Sequence, residues 1–121
     1  MTHTRKALGL LMLAALALLG AACGGQGSAS TITLSEFHIK PKDVVLRAGQ
    51  PVTLTVVNGG KIDHNLEIDP TVSDTPLLAV LQPGEKKTVT FTPRTAGTFQ
   101  YACSIPGHAP AGMTGAITVA Q

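Results

Sequence analysis

The 121-residue chain has no tryptophan, one tyrosine, three phenylalanines, two cysteines and only 13% charged residues. So little charge argues against a disordered chain and against a coiled coil, whose seam needs charged flanks. The one long apolar run, Ala7–Leu19, falls short of the roughly 18 residues that span a bilayer comfortably. Neither an internal repeat nor a second domain is visible, and the length suits a single domain. What the chain has in quantity is Val, Thr and Ala, with 13 Gly and 8 Pro to punctuate them.

The N-terminus reads as targeting. Arg5 and Lys6 precede the apolar run, and the small residues Gly20, Ala21 and Ala22 precede Cys23, which makes residues 1–22 a secretory signal. Leu19-Gly20-Ala21-Ala22-Cys23 resembles the bacterial lipobox, cut before a cysteine that becomes lipid-modified, with Gly20 where the usual Leu would stand. An ordinary signal cut near Ala22 would leave Cys23 as a free thiol. The position of Cys23 and the Gly/Ser-rich run after it favour lipid attachment at Cys23. Residues 23–30 are then a flexible tether with a reach of roughly 15 Å, and residues 31–121 the folded domain. The expected location is the cell envelope, exported and membrane-anchored by lipid on the periplasmic or extracellular side, an oxidising setting. Loss of Arg5 and Lys6 reduces 9 basic residues to seven, against 7 acidic ones. The mature chain is neutral, so it has no basic footprint for nucleic acid.

From Thr31 onward the pattern is that of short strands. Thr31–Phe37, Val44–Leu46, Val52–Val57, His64–Ile68, Thr88–Thr92, Thr98–Cys103 and Thr114–Ala120 alternate apolar and polar residues between Gly, Pro and Asn turns. Leu77–Leu81 fits a strand or one helical turn. Seven to eight such strands predict an all-β fold, an antiparallel Greek-key β-sandwich.

The chemistry is concentrated near the C-terminus. Beyond Cys23, the mature chain has one cysteine, Cys103, one methionine, Met113, and three histidines, His38, His64 and His108. An unpaired thiol outside the cytoplasm is a liability unless something occupies it. Cys103, His108 and Met113 share one segment with the spacing C-x4-H-x4-M, and a tight loop between antiparallel strands can gather all three. Thiolate, imidazole and thioether are soft donors that favour copper over Mg²⁺, Ca²⁺ or Mn²⁺, and zinc takes a thioether poorly. A distant second histidine completes a His₂Cys plane with an axial Met, the set associated with blue copper.

Asp63-His64-Asn65-Leu66 and the segment Tyr101–Gly115 resemble the two ligand segments of the small blue copper proteins, the cupredoxins, of the auracyanin, azurin, plastocyanin and rusticyanin kind. The turns at Ala48-Gly49 and Leu81–Glu85 are also similar, so the resemblance covers residues 31–121. It implies one type 1 copper ion held by His64, Cys103 and His108 with Met113 as long axial ligand. It also implies that the Asn65 amide ties the two ligand loops together near the Cys103 sulfur. Asp63 stands where azurin has a glycine, so no fifth ligand is expected. His38 and the acidic residues Asp63, Glu67, Asp69 and Asp74 read as solvated surface, and Tyr101 as core.

The implied activity is outer-sphere electron transfer with no enzymatic turnover, since a copper oxidase or nitrite reductase needs a second metal centre and more histidines. The expected partners are redox proteins such as a cytochrome c, a quinol-oxidising complex or a terminal oxidase, met by a monomer through a small apolar face around His108. The rival reading is a copper-binding module for copper storage or delivery to a respiratory enzyme.

Overall fold

A computed structural model describes residues 27–121. The signal (1–22), Cys23 and residues 24–26 of the expected tether lie outside the described residues. No helix among the described residues is long and apolar enough to cross a membrane.

Nine strands follow one another: β1 (Ser28–Ser35), β2 (His38–Lys40), β3 (Asp43–Arg47), β4 (Val52–Asn58), β5 (His64–Ile68), β6 (Leu77–Leu81), β7 (Lys86–Phe91), β8 (Gly97–Ala102) and β9 (Thr114–Ala120). They form a four-stranded sheet, β2-β1-β4-β7, and a five-stranded sheet, β3-β9-β8-β5-β6. Alternation along each strand explains the layering. Ile32 and Leu34 of β1 and Val52, Leu54 and Val56 of β4 are buried, and so are Leu66 and Ile68 of β5, Tyr101 of β8, and Ile117 and Val119 of β9. The polar partners point outward. Thr53 faces Thr90 and Thr55 faces Thr88 across the β4–β7 pair, with their hydroxyls in hydrogen-bond contact.

One open alternative is resolved, and two features depart from the sequence-based expectation. Leu77–Leu81 is a strand, which resolves the strand-or-helix alternative. A short extra strand, β2, folds back on β1 with Leu34 opposite Ile39; three residues carry too little alternation to be seen in the sequence. The strand pairing is mixed, because β1 runs parallel to β4 and β3 parallel to β9. Parallel partners far apart in sequence leave no hairpin turn as a clue.

The tether boundary also moves. Ser28, Ala29 and Ser30 pair with Val52, Thr53 and Leu54, and the Ser28 N–H donates to the Pro51 carbonyl at 3.1 Å. Residues chosen for flexibility by composition are thus strand, because the open edge of β4 offers their backbone partners.

Tyr101 closes one flank of the core. It is buried, its hydroxyl donates to the Pro41 carbonyl, and burial, aided by the nearby Asp43 carboxylate, pushes its pKa up to about 12. Its ring lies over Gly115, its β9 partner, where a Cβ would collide with the ring and with the Lys42 carbonyl. Gly115→Ala should therefore cost about 1–3 kcal/mol through overpacking, read as a lower midpoint in urea denaturation. An unchanged midpoint would show that Tyr101 can move aside freely.

Candidate metal centre

The site forms where the two halves of the five-stranded sheet part. β5 and β8 pair through Glu67 with Ala102 and Ile68 with Tyr101. Beyond those pairs, toward His64 and Cys103, side chains bridge the two segments. On the other side of β5 the register with β6 slips between His64 and Leu66, a bulge of the kind that re-aims side chains beside sites.

Backbone bonds close the loop between β8 and β9. Cys103 N–H donates to the Met113 carbonyl at 3.0 Å, Met113 N–H to His108 at 3.1 Å, and His108 N–H to Ile105 at 3.0 Å. Gly107 and Gly112 supply the positive φ angles of +86° and +119° that these turns need. Cys103, His108 and Met113 are thus brought into one corner, with Cys103 and Met113 fully buried.

His64 enters from the start of β5 and is also buried. Its Nδ1 lies 3.2 Å from His108 Nδ1, which lies 3.4 Å from Cys103 Sγ. The ligating atoms of all three residues fall within 4.8 Å of one another. Burial, and secondarily the facing His108, hold the His64 imidazole below its ordinary pKa, against the opposite pull of Glu36 and Asp63. A neutral imidazole keeps the lone pair that a metal requires. Cys103 has no disulfide partner among the described residues. Two imidazole nitrogens turned toward one buried thiol fit a soft cation of copper type, with the thiolate as its strongest donor.

Asn65 joins the two ligand segments. Its Oδ1 accepts from Ser104 N–H at 2.8 Å, its Nδ2 donates to Ser104 Oγ at 2.9 Å, and Oδ1 lies 3.3 Å from Cys103 Sγ. The amide oxygen faces the sulfur, so the thiol donates to it.

Two contributors escaped the sequence reading. Asn58, fully buried, donates through Nδ2 to the Ile62 and Leu81 carbonyls, each at 2.8 Å, and accepts from Gly60 N–H at 2.9 Å. It fixes the loop that delivers His64. The clue was its place in β4, on the inward phase of Val52, Leu54 and Val56 where a polar residue has to find partners. Phe37, at φ 61°, sets its ring edge-on to His108 with centroids 6.2 Å apart. His38 is exposed, its Nδ1 against the Glu36 carbonyl at 2.8 Å, and stands outside the cluster. Of the acidic residues, Asp74 is exposed and lies 3.6 Å from Arg94.

A family model described as a cupredoxin-like domain matches residues 8–119. The copper-resistant cuproprotein CopI of Rubrivivax gelatinosus is 27% identical over 116 residues, covering 83% of this chain and 70% of that protein. Rusticyanin of Acidithiobacillus ferrooxidans is 35% identical over 100 residues, covering 69% of this chain and 54% of its own length. Among solved structures, dithionite-reduced auracyanin of Roseiflexus castenholzii superposes with a TM-score of 0.67 at 26% identity, over 81% of this chain and 100% of that one.

Asn65→Ala removes the bridge and leaves Ser104 N–H without its acceptor. The metal-free protein should lose about 1–3 kcal/mol, measured by chemical denaturation. Full retention of stability would mean that the backbone bonds of the loop suffice.

Proposed function

The chain belongs to the cupredoxin-like family, and from that premise we propose that it is a mononuclear copper electron carrier. The observation that carries the reading is the convergence of the buried Cys103 thiol with the inward-turned nitrogens of His64 and His108. Bound there, copper supplies a one-electron Cu(I)/Cu(II) couple.

The chain's own residues do the rest. Cys103 Sγ and the Nδ1 atoms of His64 and His108 would hold the ion, and Met113, locked by its backbone to Cys103 and His108, would offer its thioether as a further donor. Asn65 and Asn58 hold the two ligand segments against the sandwich, so the donors have little freedom to rearrange when the charge of the site changes. Such a fixed frame keeps reorganisation small, which suits transfer without bond making. His108 is only half-buried, and exposed Pro106, Gly107, Pro110 and Ala111 surround it. Phe37, 47% exposed, extends that apolar rim. A small, weakly polar face gives brief encounters with a redox protein, such as a cytochrome c, a quinol-oxidising complex or a terminal oxidase.

Turnover is not part of the reading. Once His64 and His108 are assigned, only His38 is left among the described residues, too few for a second copper centre. Anchoring through a lipidated Cys23 remains part of the proposal. The name of CopI, a copper-resistant cuproprotein, favours a second reading, in which the site sequesters or hands over copper.

A visible spectrum of the protein titrated with Cu(II) tests the first reading. An intense band near roughly 600 nm that disappears with ascorbate is expected for thiolate-bound copper, and Cys103→Ser should abolish it. Copper lost to a weak chelator within seconds would favour handover, whereas retention through many redox cycles favours a carrier. Ala111→Glu should leave the band intact and slow electron exchange with an acidic partner about tenfold. An unchanged rate would move the docking face elsewhere.

A further inference from the structure

The Nε2 atom of His64 is buried and has no hydrogen-bond partner among the described residues. That nitrogen has a defined chemical state once the other one is engaged. With Nδ1 turned toward Cys103 and His108 and its lone pair given to a metal, the ring proton resides on Nε2, and a buried N–H needs an acceptor. Ligating histidines ordinarily meet this need with a carboxylate or a carbonyl on the outer nitrogen.

The structure brings one carboxylate to the right side of the ring. Glu36 sits in the turn after β1, between Ser35 and the strained Phe37, and its Oε1 accepts from Lys61 N–H in the loop that precedes His64. That contact, first among several with backbone N–H groups, holds the Glu36 carboxyl below the usual range and keeps it ionised. The ring and the carboxylate flank Gly60. A Cβ on Gly60 would lie 2.8 Å from Glu36 Oε1 and 2.9 Å from His64 Nε2, so the absent side chain leaves open the space between them. Asp63, adjacent in sequence, is exposed.

We propose that Glu36 is a positioning residue for the metal centre, accepting the Nε2–H of His64 across the gap that Gly60 keeps clear, directly or through one water. The inference rests on His64 being a metal ligand. An anionic acceptor makes the imidazole a stronger donor and favours Cu(II) over Cu(I), so Glu36 lowers the reduction potential. Gly60 is then required for its lack of a side chain.

The test compares Glu36→Gln, which keeps the shape and the Lys61 contact, with Asp63→Asn, which removes a charge nearby. In the full chain loaded with Zn(II), which accepts thiolate and imidazole regardless of any redox role, the His64 Nε2–H resonance should move upfield in Glu36→Gln and stay in place in Asp63→Asn. In the Cu(II)-titrated chain, Glu36→Gln should reduce the preference for Cu(II) over Cu(I) about tenfold, a rise of about 59 mV for a one-electron couple, and Glu36→Asp should restore part of it. An unmoved resonance, or equal effects of the two variants, overturns the proposal. Because the zinc arm needs no copper chemistry, a wild-type protein lacking the blue band would count against the carrier reading alone.

Discussion

The metal centre depends on Asn65 holding Cys103–Ser104 against β5. The paired part of β5 and β8 ends at Glu67 and Ala102, and from there the two segments that carry His64 and Cys103 have no ladder to keep them in register. A primary amide is well suited to that gap, because it donates and accepts at once. It uses both capacities on Ser104 and turns its oxygen toward the sulfur. Without such a bridge, no side-chain hydrogen bond among the described residues would join Asn65 of β5 to the Cys103–Ser104 segment.

Asn58 performs the corresponding task one layer away. Its side chain joins the four-stranded sheet to the Leu81 end of β6 and to the loop before His64. The Gly59 N–H, donating to Leu34 at 2.8 Å, pins the same loop to β1. The site is therefore clamped to both sheets of the sandwich. Buried polar groups of this kind stabilise only when fully satisfied. The Asn58 and Asn65 amides have partners for both their oxygen and nitrogen, whereas His64 Nε2 has none. That exception sits on a residue that faces the centre, where departures from satisfied packing are associated with function.

Much of this was legible in residue types and spacing. The C-x4-H-x4-M segment, the lone buried thiol and the distant His64-Asn65 pair could be read because donor chemistry is a local property. Seven of the strands announced themselves through alternation. Asn58 was hidden because it read as turn punctuation together with Gly59 and Gly60, although its phase placed it inward. Glu36 and Phe37 lie in a turn almost 30 residues before His64 in the sequence, and no local pattern links them to it. Ser28–Ser30 misled in the other direction, since composition described a flexible run whose backbone found an open strand edge.

The sequence by itself determined the donor class, the all-β class and the segments from which the ligands come. The tertiary structure alone decided which nitrogen of each imidazole faces the thiol, which amide atom faces the sulfur, the parallel pairing of β1 with β4 and β3 with β9, and the meeting of Glu36 with His64 beside Gly60. The physical reason is one of range. Side-chain chemistry and strand periodicity are properties of a few consecutive residues. Orientation at the centre is set by hydrogen bonds between segments that only the folded register brings together.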